Sequence, residues 1–202
     1  MQVTALDSAI FRFKQANARD PSLVLVEGEQ KPRELVRAER LEAWVLRLDP
    51  APSDALRLAA HCQHLRRWEI PRTSFPKGRL GYLKWRKALA KFHAQAAGVI
   101  LREVGVDEAT VQAVRRINLK QGLATDPDTK TIEDALCLSF LEHEFDEFTR
   151  DHEAKKVLEI LEKTWRKMSE RGRRAALELE LSPNARELLL CALAAPRQNA
   201  DQ

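Results

Sequence analysis

Glycine and tyrosine are scarce in this 202-residue chain, with seven and one respectively, and runs of β-branched residues are few. Hairpin turns draw on glycine and strand surfaces on β-branched and aromatic side chains, so these shortages argue against a sheet-rich fold. Cysteine is scarce too. Cys62, Cys137 and Cys191 are odd in number, far apart and set among apolar neighbours, which argues against a disulfide framework or a zinc cluster and predicts buried, reduced thiols in a cytoplasmic setting. No stretch approaches the roughly eighteen consecutive apolar residues of a membrane span, and the N-terminus lacks a cationic-then-apolar signal pattern. A soluble protein with no membrane partner is expected. The P-loop, Gly-x-Gly-x-x-Gly, Gly-x-Ser-x-Gly, His-Glu-x-x-His and Cys-x-x-Cys motifs are all missing, which removes the commonest nucleotide, hydrolase and zinc readings. Internal repeats and low-complexity segments are missing as well.

What is abundant is Ala, Leu, Glu, Arg and Lys, residues that lose little side-chain entropy in a helix, and they predict an all-α fold. The length suits one compact unit, expected over 1–196 as a single-domain bundle of seven or eight helices, with a polar tail at 197–202. The net charge is only +4, from 34 basic and 30 acidic residues interspersed along the chain. That pattern reads as solvated helix faces, not as a nucleic-acid stripe.

Apolar periodicity and turn residues place helices at 4–16, 33–48, 53–71, 80–104, 108–120, 131–148, 153–172 and 183–193, with an extended piece at 23–28. Ser53, Asp107 and Ser182 are the expected N-caps. The helix at 80–104 has Tyr82, Trp85, Leu89, Phe92, Ala96 and Val99 as its predicted apolar stripe.

The densest chemistry lies in 56–72, where His61, Gln63, His64, Arg66, Arg67, Trp68, Glu69 and Arg72 follow a Leu/Ala run. His61 and His64, three apart on the predicted helix, share a side as paired metal ligands would. The alternative is one hydrogen-bonded core histidine and one surface histidine. His93 sits at the edge of its helix's buried face, where it could meet His64 as ligand or general base or serve as a boundary residue. Asp134 starts an inward stripe with Leu138, Leu141 and Phe145, so it needs a cation or donors; equally, Thr131 and Asp134 match a capping box. Arg66, Arg67, Arg72, Lys77 and Arg86 concentrate positive charge beside the histidines, and guanidinium forks suit phosphate or carboxylate oxygens. The alternative is salt bridges with Glu69 and acidic helix faces.

Gln63-His-Leu-Arg-Arg-Trp-Glu-Ile-Pro-Arg72, Gly81-Tyr-Leu-Lys-Trp-Arg86, Phe92-His93, Ile132-Glu-Asp-Ala135 with Phe140-Leu-Glu142, and Lys163-Thr-Trp-Arg-Lys-Met-Ser-Glu170 together resemble the domain of unknown function 4202 family over nearly the whole chain. That family implies no activity. A more distant likeness is to the HD-domain superfamily of helical, metal-dependent phosphohydrolases. Ala59-Ala-His-Cys-Gln-His-Leu65 can be laid over its core motif, with Gln63 at the histidine position and His64 at the aspartate position. His93 then resembles the next ligand, and Asp134 the last aspartate. The chain departs from the pattern at 37–39 and 118–120, where histidines are expected and none occurs.

What this resemblance leaves is a mononuclear site for iron, manganese or zinc at His64, His93 and Asp134, with Gln63, His61 or Glu39 as extra ligands, or a pocket that has lost its metal. Two functions follow as expectations. The first is a degenerate HD-like metal-dependent hydrolase of a small phosphorylated anion, with Arg66, Arg67 and Arg72 neutralising developing charge and Glu69 as base. The second is a metal-free ligand-binding or protein-interaction module on the same scaffold.

Overall fold

A computed structural model of the chain describes residues 3–194, and the predicted polar tail at 197–202 lies outside them. The all-α expectation holds, with one small hairpin added. The chain divides between Ile132 and Glu133 into two compact units.

The first unit opens with α1 (Ala5–Asn17), capped by a reciprocal box between Thr4 and Asp7. The hairpin β1 (Leu23–Val26) and β2 (Glu29–Pro32) follows, with Val26 opposite Glu29. Both residues of its two-residue turn, Glu27 and Gly28, have positive φ (52° and 84°), the requirement of a type I′ turn that matches strand twist. Next come α2 (Arg33–Leu48), α3 (Asp54–Cys62), α4 (Gly78–Glu103) and α5 (Glu108–Asn118), with Ser53 and Asp107 as side-chain caps of α3 and α5. The Leu/Ala-rich α3 packs on α1, α2, α4 and α5. It is therefore buried almost all round, from Leu56 to Cys62 with only Arg57 partly open, as a helix apolar on most of its faces must be.

The helix predicted over 53–71 is corrected here: α3 stops at Cys62. Arg66 takes a left-handed conformation (φ 55°), and single 3-10 turns occupy Arg67–Glu69 and Arg72–Ser74. The cause is tertiary. His93 Nδ1 donates to the Leu65 carbonyl at 2.8 Å and Trp85 Nε1 to the Ile70 carbonyl at 2.8 Å, so α4 takes carbonyls that a continuing helix would have used. The buried face of α4 also differs from the predicted stripe. Leu89, His93, Ala94, Ala97 and Leu101 face inward, whereas Tyr82 and Val99 are exposed.

The division falls inside α6 (Pro127–His143), and the second unit continues with α7 (Phe145–Asp151), α8 (Ala154–Lys167), α9 (Glu170–Leu177) and α10 (Pro183–Ala194). Since α6 begins at Pro127, Thr131 lies within the helix and opens nothing, which corrects the capping-box reading of Asp134. The described residues form ten α-helices and not seven or eight, because two predicted helices are interrupted, at Glu144 and at Met168–Ser169. In the second break Ser169 caps α9 through its side chain to the Gly172 N–H.

Cys62 and Cys137 are buried, as predicted, but Cys191 is exposed. Burial pushes the Cys62 thiol up to about 12, far from the thiolate form that reacts. A disulfide-exchange reagent at pH 8 is expected to titrate one thiol of the native protein quickly and the other two only after denaturant is added; two fast thiols would contradict this packing.

Candidate functional site

Asp20 fixes the start of α2. Its Oδ1 accepts from the Ser22 N–H at 2.9 Å and its Oδ2 from the Glu34 N–H at 3.0 Å, as a carboxylate at a helix N-terminus favours. Glu34 is thereby set in the first turn of α2, on the same row as the buried Ala38, Leu41, Val45 and Leu48, and it is only 4% exposed. Its Oε1 accepts from Arg37 Nη1 at 3.0 Å and faces Arg67 Nε at 4.0 Å. Its Oε2 has His64 Nδ1 as neighbour at 3.4 Å but accepts no hydrogen bond.

Arg67 stands on the first 3-10 turn with its guanidinium over the Trp85 ring, 4.7 Å from the centroid. The side chain is 21% exposed, and the guanidinium donates no hydrogen bond to a described residue. Trp85, held by its bond to Ile70, cannot swing away. Behind these groups the rings of His64 and His93 meet edge to face at 6.4 Å. Because His93 Nδ1 donates to Leu65, its Nε2 is the acceptor nitrogen, and it is buried without a partner.

Asp20, Glu34, Arg33, Arg37, Arg67, Arg72, Trp68, Ile70 and Trp85 are among the residues lining a cleft of about 190 Å3. Burial raises the Glu34 carboxyl above its ordinary value, against the pull of Arg37 and Arg67. Burial likewise holds His64 well below the ordinary imidazole range, aided by Arg67, Arg37, His93 and Arg86, and lowers His93 to about 4. Both rings are thus neutral at pH 7.

These shifts carry a sign for stability. Between about 6.5 and 4 the unfolded chain binds protons that these imidazoles refuse, so stability falls as pH falls through that window. Glu34 acts oppositely, its raised value removing stability as pH rises past about 4.5. Two imidazoles thus act in one direction and one carboxyl in the other. The denaturation midpoint is expected to drop from pH 7 to pH 4.5, and to drop less in His93→Asn, whose amide can keep the bond to Leu65. An equal drop in the variant would dissociate His93 from the effect.

The structure brings His64, His93, Arg67 and Arg72 together in the first unit and places Arg86 close enough for its charge to act on both imidazoles. Other predicted site residues are committed elsewhere. Arg66 and Glu69 pair with each other on the surface, at 2.5 and 2.8 Å, which leaves neither aimed at the cleft. Arg72 lines the cleft, but its donors clamp the carbonyls of Phe75, Pro76 and Gly78. Lys77 is exposed at the start of α4.

His61 does not share a side with His64, since α3 ends between them; its Nε2 faces Glu42 Oε2 at 3.1 Å. Gln63 Nε2 donates to Asn118 Oδ1 at 2.6 Å, and Asn118 Nδ2 to Cys62 Sγ at 3.2 Å. Asp134 belongs to the second unit, where both its oxygens accept from Ser169, Oδ1 from the backbone N–H at 2.7 Å and Oδ2 from the hydroxyl.

Among the described residues no group of three or more His, Cys, Asp or Glu is disposed to hold a metal ion. The donor set implied for iron, manganese or zinc does not fit. Gln63 and Asp134 already have partners, His61 faces Glu42, and Arg37 and Arg67 put positive charge beside His64. Thermal stability is expected to be unchanged by a strong chelator, since a metal bound only to the native state would raise it. A clear fall on chelation would restore a structural metal.

Glu34, Arg33, Arg37, Asp20 and Trp85 were not singled out from sequence as site residues. One signal was available for Glu34: it holds an inward position on the apolar row of α2, where an acidic residue needs a reason to be.

The family described as Domain of unknown function (DUF4202) matches residues 7–189. No curated protein and no solved structure matches the chain.

Proposed function

We propose that this chain, which belongs to the DUF4202 family, binds a small anion, a phosphate or a carboxylate, in the arginine-lined cleft of its first unit. The observation that carries the reading is Arg67. A guanidinium presents five N–H donors, and here none is bonded to a described protein group although the side chain is four-fifths buried, so its donors are left for an acceptor that enters the cleft. An oxyanion meets two of those donors bidentately. The charge agrees, because four arginines against Asp20 and Glu34 leave the lining with an excess of two positive charges.

The test is thermal denaturation of the parent and Arg67→Met across a series of inorganic phosphate and small dicarboxylates. Methionine keeps the stem that packs on Trp85. The parent is expected to gain stability with ligand, by about 2.7 kcal/mol at a hundred times the dissociation constant, and Arg67→Met to gain only the general salt effect that acts on both proteins alike. Parallel curves for the two proteins would sink the reading.

A second reading adds hydrolysis of the bound anion, as the resemblance to HD-domain phosphohydrolases implies. It is favoured by the neutral imidazoles of His64 and His93 beside the buried Glu34, a pairing suited to proton transfer. Against the metal-dependent form of it, Gln63 and Asn118 occupy two positions where that resemblance asks for histidines, and they are bonded to each other. Phosphate release from small phosphomonoesters, with and without added manganese, iron or zinc, is the measurement. Release lost in both His64→Ala and His93→Ala would support hydrolysis; no release under any metal condition would leave binding alone.

A further inference from the structure

An anion held by the arginines accounts for Arg67 but not for Glu34 Oε2. This oxygen is buried and accepts no hydrogen bond, although its residue lines the cleft and Oε1 of the same carboxyl is held by Arg37. A buried acceptor without a donor is costly, and a carboxylate more so. The His64 Nδ1 stands 3.4 Å from it, too far for a good bond. Oε2 is therefore an acceptor waiting for a donor that the protein does not supply.

The room beside it is small. The cleft has a volume of about 190 Å3, room for one anionic group and a few carbon and oxygen atoms. The excess of two positive charges matches a phosphate monoester, which carries about −1.5 to −2 at pH 7, better than it matches a monocarboxylate. A phosphomonoester dianion has only acceptor oxygens. It can satisfy Arg37 and Arg67 but has no hydrogen to offer Glu34, so that hydrogen must come from elsewhere on the ligand.

We propose that the cleft is specific for a small phosphate ester bearing a free hydroxyl within a few bonds of the phosphate, its oxyanion on Arg37 and Arg67 and its hydroxyl donating to Glu34 Oε2. This inference rests on the anion reading and narrows it to a substrate class, the short hydroxylated phosphates.

Calorimetric titration with glycerol 3-phosphate and with propyl phosphate, which has the same carbon chain without hydroxyls, separates the two. The parent is expected to bind glycerol 3-phosphate at least about tenfold more tightly, the worth of a hydrogen bond to a charged group. In Glu34→Met, which keeps the length of the side chain and removes the acceptor, that preference is expected to vanish. Propyl phosphate binding in the variant, together with an unchanged far-ultraviolet spectrum, shows that the cleft is intact. Where the variant fails to fold, Glu34→Gln serves, with a preference reduced below the parent's.

Equal affinity of the parent for the two esters, both lost in Arg67→Met, would overturn this inference and leave the anion reading standing. No binding of either ester or of inorganic phosphate would overturn both.

Discussion

Gly172→Ala is expected to destabilise the protein by about 3 kcal/mol or more, the range for a change that uncouples a buried carboxylate from its donors. Gly172 lies in the first turn of α9, and a methyl there would stand 2.6 Å from Asp134 Cγ and 2.7 Å from Oδ1, inside any tolerable contact. The carboxylate cannot retreat cheaply, because Ser169 holds both of its oxygens and the Ser169 hydroxyl in turn accepts from the Gly172 N–H at 3.1 Å. The methyl would push apart the cap of α9 and the Ser169 donors that satisfy a fully buried carboxylate. Urea denaturation of Gly172→Ala beside Asp134→Asn measures the effect. A loss below about 1 kcal/mol in both would mean that Ser169 does not hold Asp134, and the carboxylate would return as a candidate for ligand chemistry.

Gly81→Ala should cost less stability but reach further into function. A Cβ at position 81 would lie 1.8 Å from the Pro76 carbonyl oxygen and 2.7 Å from its carbon. The obstacle is backbone, and Arg72 pins that carbonyl at 2.8 Å, so the turn before α4 has to move as a piece. Overpacking of this kind costs about 1–3 kcal/mol. The same displaced segment carries Ile70, Pro71 and Arg72 of the cleft lining. The expected result is a lowered denaturation midpoint and at least about tenfold weaker phosphate binding, where a surface substitution such as Lys84→Ala leaves both within error. Normal binding in a destabilised Gly81→Ala would separate the turn from the cleft.

Much of the helical scaffold was legible because its signals are local. Pro32 and the 49–54 turn bound α2 at the predicted residues, and Ser53 and Asp107 cap as short polar side chains do before an apolar run. The end of α3 was not legible. Nothing within 56–72 forbids a helix up to Pro71; what ends it early is the demand of Trp85 and His93 for the carbonyls of Ile70 and Leu65, fifteen and twenty-eight residues away. Reading His61 and His64 as one pair failed for that same reason. The arginine cluster was recognised as charge, but its sorting into Arg67 facing the cleft, Arg66 tied to Glu69 and Arg72 clamping a turn depends on backbone conformation that composition does not carry. Glu34 was visible as an acid on an apolar row, and its meaning came only once Arg37, Arg67 and His64 stood around it.

The stacking of Arg67 on Trp85 has a consequence for how tightly so small a ligand can be held. An exposed arginine gives up about 2 kcal/mol of rotamer freedom when it is fixed, which would erase much of what one phosphate group can return. Here the indole, itself anchored at Ile70, has already confined the guanidinium. The loss of freedom is incurred when the chain folds and not when the ligand arrives. A ligand of a few atoms therefore meets a preorganised fork, and less of its contact energy is spent on ordering the protein.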